Sequence, residues 1–531
     1  DSEASRYLKT AKTLYMRQSG IAPGAVMPNG NPFAAAPQSA NPFRAAAAPQ
    51  PVNPFALSGN ASAISAPYAP PVGFARPQTA NPGFAMSGST AESTYGSFVG
   101  DGYSTAGNRP APAIGNYAAP NAMPGTMNDM ASVTQAYPYA GNGPSDPVLA
   151  EIDQQLQSAA NESGPRVDVD TGYRSRSGET DLSKLREMTG SAQLSTNVGG
   201  GRAGIKATAV VLDSGRPTGS GLARFGTNAT PEAQAIVDEL ASVLTNAETQ
   251  HESGVAITAS YVSNLLRVEA GTTPLGFEKE HITGKIEATP RLSQYASVRV
   301  WADRKPVTDS IIAYAGTTDP RSNSFWGAVM KSGGGLSLSY DRNGNGVYAD
   351  GSYYHYDGTA VRDNDSIEIN AGGYLRAWQN AHSGVSVGFN VNYQNYDNNQ
   401  NYFTYGHGGY FSPQSFLSVN FPIRYWSNNG PMSIQASVAP GYQSYDQQGE
   451  PVYPTEAGAQ AVLDYLKSQN GDVRSAYDSI SKTGFGLSAN GTIFYQVSPN
   501  TKVGGELNIN TFGQYKEFKT LIGLKQAIGG N

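Results

Sequence analysis

The sequence predicts an all-β chain: an outer-membrane antiparallel β-barrel of about sixteen strands over residues 166–531, preceded by a helical piece and a long linker. Three observations carry that prediction. Apolar and polar residues alternate with period two in about sixteen segments between Arg166 and Ile528, several near the roughly 10 residues a tilted strand needs to cross a bilayer. Aromatic residues gather near segment ends, at Trp326, Tyr353, Tyr354, Tyr356, Trp378, Tyr393, Tyr396, Tyr425, Trp426, Tyr442 and Tyr445, as belts at two lipid interfaces would require. In the second half the connections alternate short and long, the rhythm of turns on one side of a membrane and loops on the other.

Composition narrows the function classes. Against 42 Asp+Glu the chain has 36 Lys+Arg, a net charge of −6, which argues against a nucleic-acid partner held by phosphate contacts. It has no cysteine, so thiol catalysis, disulfides and cysteine zinc sites are excluded. The five histidines are scattered, and no run of about 18 apolar residues exists to make a transmembrane helix. A membrane, if crossed, must be crossed by strands. No signal peptide precedes Asp1, as expected of a processed chain or a piece of a longer one.

Taken in order, residues 1–19 read as one amphipathic helix with Leu8, Ala11 and Leu14 on one face, ended by Gly20 and Pro23. Such a helix needs neighbours to cover that face, so it is expected to be the last helix of a helical, TPR-like repeat. Residues 20–146 are rich in Ala, Pro and Asn and almost without charge, too poor in apolar area to offset the entropy of ordering; a disordered linker is expected. It repeats Asn-Pro-Phe at Asn31, Asn41 and Asn53, read as duplication in a tether, with an adaptor-binding array as the rival. Residues 147–165 are expected to form a short helix and lead-in. The barrel follows, with clear alternation in Val385-Ser-Val387-Gly-Phe389-Asn-Val391-Asn-Tyr393 and in Leu417, Val419, Phe421, Ile423 and Tyr425 against Ser418, Asn420 and Arg424. An insertion from Ser214 to Ser253 is expected to be partly helical after Thr230-Pro231 and, by parity, to fall on the short-turn side.

Several motifs are imitated without their chemistry. Asp341-x-Asn343-x-Asn345-Gly346 opens like a calcium loop, but position twelve is Ser352, and Asn-Gly between alternating strands is a hairpin signal. Gly484-x-Gly486-x-x-Ala489 copies a dinucleotide fingerprint inside a strand, with no helix to follow. Glu269 and Glu287 could be paired for glycoside hydrolysis, yet they sit beside Arg267 and Lys285, as in a solvated lumen of both signs. No catalytic residue, cofactor or metal site is expected.

One stretch, Tyr402-Phe-Thr-Tyr-Gly406-His407-Gly-Gly-Tyr410-Phe-Ser-Pro413-Gln414-Ser-Phe416, resembles the C-terminal domain of the bacterial cellulose synthase outer-membrane subunit, cellulose synthase operon protein C. Further resemblance lies in Gly172 to Gly178, Gly271 to Phe277, Arg304 to Gly316, Trp326-Gly327, Gly333-Gly334-Gly335 and Tyr340-Asp341. The resemblance implies a periplasmic repeat scaffold, a linker and a sixteen-stranded barrel exporting β-1,4-glucan (cellulose). It also implies a place in the outer membrane with the N-terminal part in the periplasm, and as partners the glucan chain, membrane lipid and, through the upstream repeat, other synthase subunits. This chain departs from the family in its very long linker and its end at Lys525-Gln-Ala-Ile528-Gly-Gly-Asn531, which is not aromatic.

A neutral glucan needs amides, hydroxyls and aromatic faces along its path. Inward positions are predicted to supply Asn390, Asn392, Gln394, Ser418, Asn420, Gln435, Asn508 and Asn510, with Tyr295, Trp301 and Tyr374 as stacking platforms; a general porin or adhesin barrel would look similarly polar. The loop containing Tyr402, Tyr405, His407, Tyr410 and Phe411 is expected at the external mouth, with His407 in a structural role.

Overall fold

The computed structural model describes residues 164–528 apart from positions 180–181, 264, 291, 294, 343, 381, 430, 499 and 514–515. The helix, linker and lead-in expected before residue 164 lie outside the described residues. Sixteen wall strands follow one another: β1 (Arg166–Arg176), β2 (Leu185–Val198), β3 (Gly201–Gly215), β4 (Gln250–Val262), β5 (Leu266–Thr272), β6 (Ile282–Ala288), β7 (Ala296–Pro306) and β8 (Phe325–Arg342) make the first half. The second half comprises β9 (Asn345–Thr359), β10 (Asn364–Gln379), β11 (Ser383–Tyr396), β12 (Ser415–Asn420 continuing as Ile423–Asn429), β13 (Met432–Gln447), β14 (Ile480–Ser498), β15 (Thr501–Asn510) and β16 (Glu517–Ala527). Each pairs antiparallel with the next, and β16 pairs back with β1 from Arg166↔Ala527 to Arg176↔Glu517. Closure leaves no unpaired edge.

Period-two sequence sets the two faces. Ile205, Val300, Leu338, Phe389 and Leu417 point outward and are exposed, while Arg174, Ser191, Asn390 and Ser418 point inward and are buried. β12 is broken at Phe421-Pro422, because proline has no N–H to give the ladder. The break is bridged by Phe421 N–H donating to the Pro440 carbonyl and Gly388 N–H donating to that of Pro422, both at 2.9 Å.

The connections sort by length into two ends. At one end lie the turns 199–200, 263–265, 289–295, 343–344, 380–382, 430–431 and 499–500, together with the start of β1 and the end of β16. At the other lie L1 (177–184), L2 (216–249), L3 (273–281), L4 (307–324), L5 (360–363), L6 (397–414), L7 (448–479) and L8 (511–516). The insertion after β3 therefore falls at the long-loop end, not the short-turn end as parity in the sequence implied. The Gly199-Gly200 hairpin, with both φ positive at 58° and 83°, turns the chain at the short-turn end between β2 and β3, so β3 runs to the long-loop end. L2 is partly helical, holding α1 (Gly219–Ala223) and α2 (Ala229–Asp238); L4 holds α3 (Ile311–Tyr314) and L7 holds α4 (Ala457–Gln469).

Two outward aromatic belts are present: Tyr173, Tyr353, Tyr393 and Tyr442 near the long-loop end, and Tyr340, Trp378, Tyr425 and Tyr495 near the short-turn end. Trp326, Tyr354, Tyr356 and Tyr445, expected in those belts, are instead buried inside. Nearness to a strand end does not distinguish the faces; only register does.

Candidate conduit and the plug at its long-loop end

The inward wall divides into two arcs. From β11 to β13 it carries a single charge, Arg424, among amides, hydroxyls and small residues. Here Asn390 accepts from the Tyr348 hydroxyl at 2.6 Å, Asn392 Nδ2 donates to Glu368 Oε1 at 2.6 Å, and Gln394 Nε2 donates to Asn392 Oδ1 at 3.1 Å. Ser418 and Asn420 on β12 and Gln435 on β13 take inward positions of the same arc, whereas Asn508 and Asn510 face inward on β15, outside it, opposite Lys519 and Glu517 of β16. Asn390 Nδ2, Asn420 Oδ1 and Ser437 Oγ have no hydrogen-bond partner among the described residues.

The opposite arc, β1 to β8, is charged and neutralises itself by short ladders. Arg174 pairs with Glu187 at 3.0 Å, Arg267 with Glu269 at 2.6 Å, Lys285 with Glu287 at 3.3 Å and Lys305 with Asp303 at 3.3 Å. The carboxylates Glu269 and Glu287 are thus ion-pair members. Trp301 lies in this arc: its Nε1–H donates to the Tyr354 hydroxyl at 3.1 Å, and the Arg299 guanidinium sits 4.1 Å from its ring centroid. Gly335 makes that possible, since a Cβ there would come within 2.4 Å of the indole.

Tyr374 also faces inward and donates to Asp341 Oδ2 at 2.6 Å. Asp341, the first residue of the calcium-like motif, further accepts from Gly344 N–H at 3.2 Å and caps a hairpin. The Gly484-x-Gly486 stretch is β-strand, part of β14. Tyr295 is not brought to the lumen. It ends the turn 289–295, before alternation starts at Ala296, and its exposed ring lies 6.1 Å from outward Tyr340 and 5.6 Å from Arg342. That places it with the short-turn belt. Among the described residues no group of three or more His, Cys, Asp or Glu could hold a metal.

Loop L6 is folded into the barrel rather than displayed at its rim, and every residue from 399 to 413 is buried. Positive φ at Gly406 (100°) and Gly409 (66°) lets the chain double back. L2 lies against it, with Gly226 N–H donating to the Phe403 carbonyl at 2.9 Å and Tyr405 N–H to that of Gly226 at 3.1 Å. L7 covers its other side. Tyr402 stacks on Tyr477 at 3.7 Å between centroids, and Thr404 Oγ1 donates to the Val452 carbonyl at 2.7 Å. His407 is wholly enclosed, its Nε2–H donating to the Pro451 carbonyl at 3.0 Å and its ring edge against Tyr402 and Tyr477. Burial drives its pKa down to about 4, so the imidazole is neutral. Burial pushes the Tyr410 hydroxyl the other way, well above its usual range. Tyr410 stacks on Tyr356 of β9, and Phe411 packs edge-on against Tyr445 of β13.

The far side of the bore is reached through L4. Phe411 N–H donates to Asp309 Oδ2 at 3.1 Å, and Asp309 Oδ1 pairs with Arg176 of β1 at 3.3 Å. Arg174 donates to Thr308, and both arginines converge on Glu517 of β16, at 3.4 and 3.1 Å. L6 therefore links β1 to β9, eight strands away and on the opposite side of a sixteen-stranded ring, and to β13, four strands away, and so lies across the bore. Sequence reading missed this anchor of Arg174, Arg176, Glu187, Asp309 and Glu517. The signal was available: nearly every stretch of family resemblance places a residue in the plug or its support. Arg174 and Arg176, Phe277 (5.4 Å from Tyr314), Thr308-Asp309, Trp326 (5.5 Å from Tyr405) and the 402–416 loop meet there.

Outward apolar faces, two aromatic belts, a polar bore and long loops at one end define the class: an outer-membrane β-barrel, plugged from its long-loop end. The profile of the family described as "Cellulose synthase operon protein C C-terminus" matches residues 183–529, and the chain belongs to that family. Cellulose synthase operon protein C of Pseudomonas fluorescens (strain SBW25) is 30% identical over 410 residues, 74% of this chain and 30% of that protein. Its counterpart in Xanthomonas axonopodis pv. citri (strain 306) is 31% identical over 355 residues, 64% and 23%. The chain thus spans less than a third of the length of these relatives. A solved structure titled "Bacterial polysaccharide outer membrane secretin" aligns with TM-score 0.43 at 8% identity over 69% of this chain and 99% of that one.

Proposed function

We propose that the barrel is the outer-membrane conduit through which a β-1,4-glucan leaves the periplasm, entering at the short-turn end and leaving where L6 lies. The observation that carries this is the amide arc of β11 to β13. It is a surface of amides and hydroxyls interrupted by one charge, Arg424, on which Asn390 Nδ2, Asn420 Oδ1 and Ser437 Oγ have no hydrogen-bond partner among the described residues. A neutral polymer of hydroxyls finds hydrogen bonds at these three groups without a charge to desolvate, while the self-paired arc opposite presents little net field. The chain moves passively, pushed by polymerisation elsewhere, and the upstream repeat meets the other synthase subunits. Since L6 occupies the bore, passage requires L6 to move.

Planar-bilayer recordings on a variant lacking residues 405–409 test the reading. Cello-oligosaccharides added at the short-turn side are expected to block its current transiently, and α-1,6-linked dextran fragments of equal size are not. Equal block by both sugars, or by neither, would favour a general porin or adhesin barrel. Sidedness is tested at Val243, 85% exposed on L2: a cysteine there should react with an impermeant thiol reagent on intact cells. His407, fully enclosed, cannot serve that purpose.

A further inference from the structure

Two arginines face the bore near the short-turn end with a single strand between them. Arg376 lies on β10 and Arg424 on the second segment of β12; both are cross-strand neighbours of Ser386 on β11, which sets their backbones about 10 Å apart. Neither forms an ion pair among the described residues. Arg376 is pressed onto the turn 343–344: a Cβ at Gly344, where φ is 78°, would come within 2.1 Å of its Nη2. Its Nε is enclosed and has no hydrogen-bond partner among the described residues. Arg424 acts electrostatically on Tyr374 of β10 and Tyr348 of β9, across the small Ser386 and Gly388 of β11. The carboxylate of this corner, Asp341, is already engaged by the Tyr374 hydroxyl at 2.6 Å and by Gly344 N–H at 3.2 Å. Two further groups are unspent. Ser437, the neighbour of Arg424 on β13, is 7% exposed and its Oγ has no partner among the described residues; Asn390 accepts from Tyr348 through Oδ1, but its enclosed Nδ2 donates to none of them.

We propose that Arg376 and Arg424 form an oxyanion seat at the short-turn mouth, with Ser437 and Asn390 as its neutral donors and a free phosphate-class anion as its ligand. The donor set decides the ligand class. Two guanidinium groups, a hydroxyl and an amide all offer hydrogens, and the carboxylate beside them is spent. A guanidinium grips a tetrahedral oxyanion through paired, charge-assisted hydrogen bonds, and two long side chains from strands this close can turn onto one ion. A divalent anion there cancels both charges at once, whereas a sugar hydroxyl cancels neither and a metal cation is repelled by both. The seat is built from the barrel wall alone, so failure of the glucan reading leaves it standing, and its own failure leaves that reading standing.

Calorimetric titration of the detergent-solubilised 531-residue chain with inorganic phosphate, compared with sodium chloride at equal ionic strength, tests the seat in the absence of any sugar. One saturable phosphate site is expected, and none for chloride. Arg376→Gln and Arg424→Gln should each weaken it about tenfold, as the loss of a charge-assisted contact requires, and Ser437→Ala should weaken it less. Arg342→Gln, at an arginine exposed beside Tyr295 on the outer face, should leave it unchanged. If either glutamine variant does not assemble, Arg376→Lys and Arg424→Lys replace the pair: they keep the charge, lose the planar fork, and must still weaken binding several-fold. Absence of phosphate binding overturns the proposal. So does binding matched by chloride, binding that only one of the two arginines affects, or binding that Arg342→Gln weakens equally.

Discussion

The two arcs of the bore solve the same problem, polar groups inside a membrane protein, by opposite means. The arc from β1 to β8 carries full charges and satisfies them locally, by pairs two residues apart such as Arg267–Glu269 and by cross-strand triads such as Lys285–Glu287–Arg299. The arc from β11 to β13 carries amides and hydroxyls, several of them unspent. A paired charge is rigid and uninterested in a neutral ligand; an amide can exchange one partner for another at small cost. The charged arc anchors L4 through Arg174 and Arg176, and under the proposed function the amide arc is the sliding surface.

The largest effect that would break this division is expected in the anchor. Glu517→Gln leaves Arg174 and Arg176 short of a carboxylate in a closed site and should cost about 3–5 kcal/mol. The denaturant midpoint of the folded barrel reports it, and a change under about 1 kcal/mol would show the network to be dispensable.

Next comes the wall itself. Phe389→Arg, on the lipid face, should lose roughly 2–4 kcal/mol and fail to give a heat-modifiable band. Asn392→Arg, on the lumen face beside Glu368, should assemble; equal yields would mean that the two faces are wrongly assigned.

Acidification sharpens the contrast between plug and wall. The His407 pKa is lowered in the fold, so below its ordinary value of 6.5 the unfolded loop takes up a proton that the folded loop refuses down to about 4. Stability of the plug is then complete above pH 6.5 and falls by about 1.4 kcal/mol per pH unit as pH drops towards 4. Arg362, which pairs with Glu450 at 2.9 Å, faces the same histidine and disfavours its charge further. Single-channel openings should become more frequent over that interval, and His407→Gln should flatten the dependence.

The smallest effect is on the sliding surface. Asn390→Leu with Asn420→Leu removes hydrogen bonds worth about 0.5–1.5 kcal/mol each to a ligand. Assembly should be unchanged while cello-oligosaccharide block weakens a few-fold. Replacing Lys285 and Glu287 together by methionine should leave block unaltered, and if it does not, the charged arc also touches the polymer.

Most of the wall was legible in the sequence, because a strand with one face in lipid must alternate and Val385 to Tyr393 could hardly do otherwise. The inward amides followed from the same parity. What parity could not give was anything dependent on the count of strands or on contacts between distant residues. The end at which L2 lies depends on every hairpin before it, Gly199-Gly200 included. Tyr295, adjacent to a strand but outside its alternation, went to the belt. The anchor joins Arg176 to Glu517, 341 positions apart, and such a pairing has no local signature. Only the clustering of family-like motifs hinted that these separate stretches share one place.

The position of Glu517 also ties the anchor of the plug to the closure of the ring. It opens β16, the strand whose pairing with β1 completes the ring. Arg174 and Arg176 lie on β1, and the carboxylate they share lies on the last strand. The pairing that completes the wall therefore also completes the charge network that holds L4, so the rim of the closed ring and the plug it carries share one joint.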